Sequence, residues 1–230
     1  MKMVHTGYDL TMEMNENQII VLSIENRKAY SEILQDMWNQ IQGGEGHFIL
    51  SDKEKQLKIS KEVECIFNPF SLDCNDRKIL NKLYQELKEQ SDSFQLEKAM
   101  VLNTSINRFL DGLLMQMPYA LKYNPDFDLS GLLKLYDLEV ESSGETVLER
   151  IVEYLRVMTN ICGIVNYVFV GLKQYLSEPE LEKLYEFVFY EKINLIIIEA
   201  IQTPLLSGEK GWIIDKDLCI IELDKLTALS

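Results

Sequence analysis

The chain has 230 residues, a hydrophobic fraction of 47% and a formal net charge of -14, which provides for one domain with a sizeable core, or a domain carrying a smaller insertion, and excludes a disordered chain. The acidic excess excludes wrapping nucleic acid over the whole surface, because affinity for phosphate rests on lysine and arginine displacing counterions; any such contact must be local, whereas divalent cations with their oxygen ligands suit it. No apolar run reaches the roughly 18 to 20 residues that span a bilayer, and the opening MKMVHTGYDL lacks the apolar core and cleavage site of a secretory signal, so a cytoplasmic chain without membrane contact is expected.

From Gln18 the run QIIVLSI is apolar and rich in β-branched residues, which predicts a strand. RKAYSEILQDMWNQI then places Ala29, Ile33, Leu34, Met37, Trp38 and Ile41 at helical spacing, ended by Gly43 and Gly44. HFILS and EVECIF predict two short strands on either side of a lysine-bearing stretch that turns tightly at Asp52 to Glu54. Beyond Pro69 the texture becomes helical. RKILNKLYQELKEQ carries Ile79, Leu80, Leu83, Tyr84 and Leu87 on one stripe, and SFQLEKAMVLNTSINRFLDGLLMQM carries Val101, Ile106, Phe109, Leu110, Leu113, Leu114 and Met117 until Pro118 stops it. Two long helices packed on each other are expected. The linker YNPDFDLSG leads to a small helix, LLKLY, with Asp128 placed as its cap.

From Asp137 the α/β texture returns. LEVES predicts a strand, and ETVLERIVEYLRVMTNI an amphipathic helix closed by Gly163. IVNYVFVG is nearly continuous in apolar residues, as a strand covered on both faces would be. Ser177 and Glu180 form a capping-box pattern opening the helix EPELEKLYEFVFYEK, and NLIIIEA supplies another buried strand. Strand, helix and strand at this spacing make a βαβ unit with a right-handed crossover, hence a parallel sheet. GWIID and LCIIE finish the sheet as a hairpin across Lys216. The order of textures predicts an α/β head with a mostly parallel sheet, built from residues 1–70 and 137–230, and an inserted all-helical domain over 71–136.

A strand that runs directly into a helix is where a phosphate-binding loop would sit, but the junction ENRKA lacks every glycine that lets backbone N–H groups cradle phosphate. GGEG at 43–46 ends a helix, and SGEKG at 207–211 opens none. Glu199, closing NLIIIE, matches a Walker-B acid, as any buried parallel strand ending in an acid does. His5 and His47 stand at apparent strands and read as surface or edge residues, without a catalytic constellation around them. The dispersed Cys65, Cys74, Cys162 and Cys219 read as buried reduced thiols. Asp126 and Asp128 lie two apart beside Pro125, and Glu139 and Glu141 alternate on one face of the expected strand; they read either as a solvated surface with a helix cap or as oxygen ligands for calcium. Lys53, Lys55, Lys58 and Lys61 crowd around Glu54, four lysines less one glutamate, or a local +3. They read either as protection of an exposed turn or edge strand or as a local basic patch.

In order and spacing, ETVLERIVEYLRVM, YVFVGLKQYLSEPELEKLYEFV, NLIIIEAIQ and WIIDKDLCIIE resemble segments of the Csn-two family, the DNA-binding adaptation proteins of type II-A CRISPR loci. The resemblance extends through LLKLYDLEVE and the helical insertion, more faintly through FILSDKEKQLKISKEVECI, and is weakest over the first 45 residues. It implies an α/β head similar to a P-loop-type ATPase that has lost its nucleotide site, with an inserted helical leg. It implies no enzymatic activity and no bound nucleotide. It implies a homotetrameric ring that threads double-stranded DNA through a lysine-lined hole, binding ends rather than sequences, with structural calcium. The implied role is CRISPR spacer acquisition beside the CRISPR integrase complex and the type II effector nuclease. Carried onto this sequence, Lys53, Lys55, Lys58 and Lys61 are implied for DNA, and Asp126, Asp128, Glu139 and Glu141 for calcium; the loop KYNPDFD has fewer carboxylates than the family's shorter streptococcal type. The alternative is an ATPase-like scaffold without a nucleotide site that acts through protein–protein contacts.

Overall fold

The computed structural model describes residues 1–53 and 55–223. They divide into two compact units, one made of Met1–Asp73 with the described residues from Ser142 onward, the other of Cys74–Glu141. In the first unit the chain runs β1 (Lys2–His5), β2 (Leu10–Glu13), β3 (Ile19–Ile24), α1 (Arg27–Ile41), β4 (Phe48–Asp52), β5 (Lys55–Leu57), α2 (Ile59–Glu62) and β6 (Val63–Ile66). The helical unit supplies α3 (Arg77–Phe94), α4 (Leu96–Leu114) and α5 (Leu129–Leu135). The chain then returns to the first unit as α6 (Val147–Cys162), β7 (Asn166–Val170), α7 (Glu178–Tyr190), β8 (Asn194–Glu199), β9 (Glu209–Ile214) and β10 (Ile220–Leu223).

Two sheets result. The larger has the order β10-β9-β3-β8-β7-β6, and its neighbours are parallel except for the closing β9–β10 hairpin. All six residues of β3 are buried, as a central parallel strand covered on both faces requires. Side-chain alternation sends Val168, Ile196 and Ile198 into one core cluster with Ala29, Ile33 and Met37 of α1. Those three α1 residues recur every four positions, which makes a single apolar stripe. The smaller antiparallel sheet, β2-β1-β4-β5, adds Met3, Leu10, Met12, Phe48 and Leu50 to the same cluster. α6 and α7 bury Ile151, Leu155 and Met158, and Leu181, Leu184 and Val188, respectively. Both open on capping boxes, Thr146 with Glu149 and Ser177 with Glu180, and α6 closes at Gly163 with φ of 72°. The α/β class, the parallel-rich sheet and the helical elements are those expected from the sequence.

Three expectations fail locally. The hairpin turn at Asp52 and Lys53 exists, but its second strand is KQL, which pairs Leu57 with Leu50. EVECIF instead supplies β6, parallel to β7 in the other sheet, because α2 intervenes and redirects the chain. LEVES forms no strand: Asn75 takes both main-chain groups of Val140, donating to its carbonyl at 3.0 Å and accepting from its N–H at 2.7 Å, while the Leu138 carbonyl accepts from Tyr84 Oη at 2.8 Å. Of the cysteines, Cys74 is buried, Cys65 and Cys162 are half-buried, and Cys219 is exposed at the β9–β10 turn.

The helical unit keeps little of its apolar surface from solvent. Ile79 and Tyr84 of α3 are buried, but α4 and α5 have no fully buried residue. The loop before α5 is pinned to α4 by Asn103 and Asn107, which both donate to the Pro125 carbonyl at 3.1 Å.

One charged network is built into the apolar interior of the first unit. Glu209, at the start of β9, accepts from Lys173 Nζ at 2.8 Å, from Tyr185 Oη at 2.5 Å and from the Leu206 N–H at 2.7 Å. The Lys173 and Glu209 side chains are 7% and 0% exposed, so neither charge has water as a substitute partner. Glu199, 1% exposed at the end of β8, accepts the Lys173 N–H at 2.9 Å. Burial pushes the Glu199 carboxyl above its ordinary 4.5, against the hydrogen bonds from Lys173 and Gln174.

Three outcomes follow for stability. Glu209→Ala leaves the Lys173 ammonium buried without its carboxylate and lowers the unfolding free energy by about 3–5 kcal/mol, read as a reduced urea midpoint at unchanged slope. Tyr185→Phe removes one donor and costs about 1.5–3 kcal/mol. For Glu199, whose carboxyl titrates higher folded than unfolded, the favourable contribution is complete below the ordinary carboxylate value of 4.5 and is lost as pH rises through the folded-state value. Glu199→Gln therefore gains Tm over the native chain progressively as pH rises above the ordinary carboxylate value of 4.5; a Tm difference independent of pH contradicts this.

Candidate functional site

At the junction of β3 and α1, Asn26 caps the helix, its side chain accepting from the Lys28 and Ala29 N–H groups at 3.0 and 3.1 Å. Its amide donates to the Lys216 carbonyl at 2.9 Å, and the preceding Glu25 N–H donates to the Ile214 carbonyl at 2.9 Å. The donors that a nucleotide-binding protein aims at phosphate are thus partly occupied by the chain itself, in a two-residue connection that holds no glycine. Glu199, beside Ser23 of β3 in the parallel register, is sealed from solvent and engaged by Lys173 and Gln174. It works as an internal acceptor.

The four lysines lie together along the β4–β5–α2 edge. Lys53 is the left-handed turn residue with φ of 53°, Lys55 opens β5 opposite Asp52, Lys58 is the residue capping α2, and Lys61 is in its last turn. All four are exposed. Glu54 lies outside the described residues. Next to them opens a groove of about 540 Å³, bordered by Gln40, Phe48, Leu57, Lys58 and Ser60.

The four carboxylates are also exposed, but the structure does not gather them. Asp126 is in the loop before α5; Asp128 holds the capping position of α5 without its side chain accepting a capping N–H; Glu139 and Glu141 lie outside any strand. Among the described residues, no three of them bring ligand atoms within 4.8 Å of one another. A calcium ion held by this set within one chain does not fit the donor arrangement, since calcium takes six to eight oxygens at close range.

One constellation escaped the sequence reading. His5 Nε2 lies 3.2 Å and His47 Nδ1 2.6 Å from the same oxygen, Asp36 Oδ2. β1 pairs antiparallel with β4, setting His5 opposite Phe48 and hence near His47, while α1 brings Asp36 over the pair. The His5 ring is wedged edge-on to Phe48 at 4.6 Å between centroids. Burial pushes its pKa down, outweighing the hydrogen bond to Asp36, so the imidazole is neutral at neutral pH. Burial works against the Asp36 carboxylate too, but the bonds from His47 and His5 hold it below the usual carboxylate range. Because β1 carries no strong periodicity over its four residues, the pairing of positions 5 and 47 was not readable from the sequence.

The model of CRISPR-associated proteins named Cas_Csn2 matches residues 40–218. A CRISPR-associated protein Csn2 of Streptococcus agalactiae is 24% identical over 203 residues, covering 87% of this chain and 89% of that protein. One of Enterococcus faecalis is 18% identical over 180 residues, covering 77% and 81%. The crystal structure of Stu0660 of Streptococcus thermophilus is similar with a TM-score of 0.59 over 97% of this chain and 76% of that one, at 12% identity, which shows a common fold. With a family match over well more than half its length, the chain belongs to the Cas_Csn2 family of CRISPR-associated proteins.

Proposed function

We propose that the protein is a non-enzymatic, sequence-independent binder of double-stranded DNA that acts at duplex ends, as a homotetrameric ring, in CRISPR spacer acquisition. The CRISPR integrase complex and the type II effector nuclease are its protein partners. The observation that carries the DNA-binding reading is the exposed line of Lys53, Lys55, Lys58 and Lys61 on one edge of a chain whose net charge is -14. Repetition of the edge in a ring sums its charge around one hole, and the acidic remainder of the surface repels duplex from everywhere else. Support for self-association comes from the helical unit, where Met100, Val101 and Phe109 of α4 are 63%, 66% and 66% exposed. Large apolar side chains exposed to this degree along one helix suit coverage by a partner. The absence of nucleotide chemistry is supported by the Asn26-capped β3–α1 junction and the sealed Glu199.

Binding through phosphate contacts is steeply salt-dependent, with a slope of about 0.9 per contact in log affinity against log salt. The variant carrying Lys→Glu at positions 53, 55, 58 and 61 is expected to lose retention of linear duplex in a gel shift at moderate salt while keeping its far-ultraviolet spectrum. Replacing them one at a time by Gln lowers the salt slope stepwise. Unchanged retention by the fourfold variant refutes the assignment of this edge.

A further inference from the structure

The chain contains two histidines, 42 positions apart, and the fold brings both onto a single oxygen of Asp36. We infer that His5, Asp36 and His47 form a binding site for a first-row divalent cation of the zinc class, held by two imidazoles and one carboxylate with a solvent-filled fourth position. Their ligand atoms all lie within 4.8 Å of one another. Imidazole with carboxylate suits zinc, cobalt or nickel, whereas calcium and magnesium prefer an all-oxygen shell.

A second observation points the same way. His5 is 2% exposed, yet its Nδ1 is buried without a hydrogen-bond partner, a position that polar atoms in protein interiors rarely occupy. Nδ1 borders the space left by the missing side chain of Gly7, where an added Cβ would lie 3.5 Å from Nδ1 and 3.7 Å from His47 Cγ. That space belongs to an open pocket of about 370 Å³ bordered by Tyr8, Glu32 and Gln35. A water completing the metal's coordination has room there. Glu32, which accepts from Tyr8 Oη at 2.6 Å, lines the same pocket and adds negative potential to it.

The ligands come from β1, from α1 and from the residue before β4, so the cation ties the small sheet to the helix that leaves β3. Its place is structural, and metal stabilises the folded chain by an amount that grows with the logarithm of its concentration over Kd. None of the lysines or acids assigned to DNA or calcium takes part.

The test uses the full-length chain, free of any histidine tag and stripped by chelator, titrated with Zn²⁺ by calorimetry and with Co²⁺ by visible absorption. One ion per chain is expected, with the d–d bands of four-coordinate cobalt, no thiolate charge-transfer band, and a rise in Tm with Zn²⁺. His47→Ala and Asp36→Asn each weaken binding at least about tenfold, while Glu222→Gln, remote from the site, leaves it unchanged. The His47 side chain is 61% exposed, so its removal preserves the fold, which circular dichroism verifies. Absence of stoichiometric binding to the native chain overturns the inference. Equal affinity in His47→Ala and Asp36→Asn, or a thiolate band, overturns it as well by moving the ion elsewhere.

Discussion

β3 is buried along all six residues between parallel neighbours β8 and β9, and it passes into α1 through Glu25 and Asn26 alone. So short a connection fixes the helix against the strand and spends the first N–H groups of α1 on Asn26 instead of a ligand. Where an α/β protein that uses nucleotide needs a glycine-rich arc, this chain has a tied corner whose side-chain amide reaches across to Lys216. Glu199, in register with Ser23 on the next strand, is buried at 1% exposure. It closes on Lys173 and Gln174. The corner is thus one packing arrangement extending over β3, α1 and β8.

That arrangement leaves the chemistry to the surface. The interior charge is self-contained, with Lys173, Glu209 and Tyr185 satisfying one another in a region closed to water. What faces outward carries a net acidic charge, and the β4–β5 turn and α2 present four exposed lysines close together in it. In the helical unit, apolar side chains are left at the surface of α4, which has no buried residue. A burial of roughly 25 cal/mol per Å² rewards covering such a face, and a symmetric assembly covers it once per copy.

Much of this was readable in the residues. Helix limits followed from end signals: Gly163 after α6 and the Ser177–Glu180 pair before α7 leave little freedom about where those helices start or stop. β7 and β8 were readable because a run of apolar β-branched residues between helices has few other fates. The failures share a cause. Whether EVECIF pairs back on HFILS or crosses to β7 depends on α2, a four-residue helix whose sequence carries no signal long enough to detect. LEVES has the alternation of a strand, but Asn75 and Tyr84, 54 to 65 positions away, claim the backbone groups that a ladder would need. The histidine site failed to show for the same reason, since only the pairing of β1 with β4 and the overhang of α1 bring residues 5, 36 and 47 together.

The proposed function requires that DNA enter a lysine-lined hole by its ends. The most direct measurement compares binding to a linear duplex with binding to the same duplex after both ends are blocked by bulky protein caps, at one salt concentration. Retention of the open duplex and loss of the blocked one is the predicted result. Equal affinity for both would contradict threading and place the lysines on an open surface.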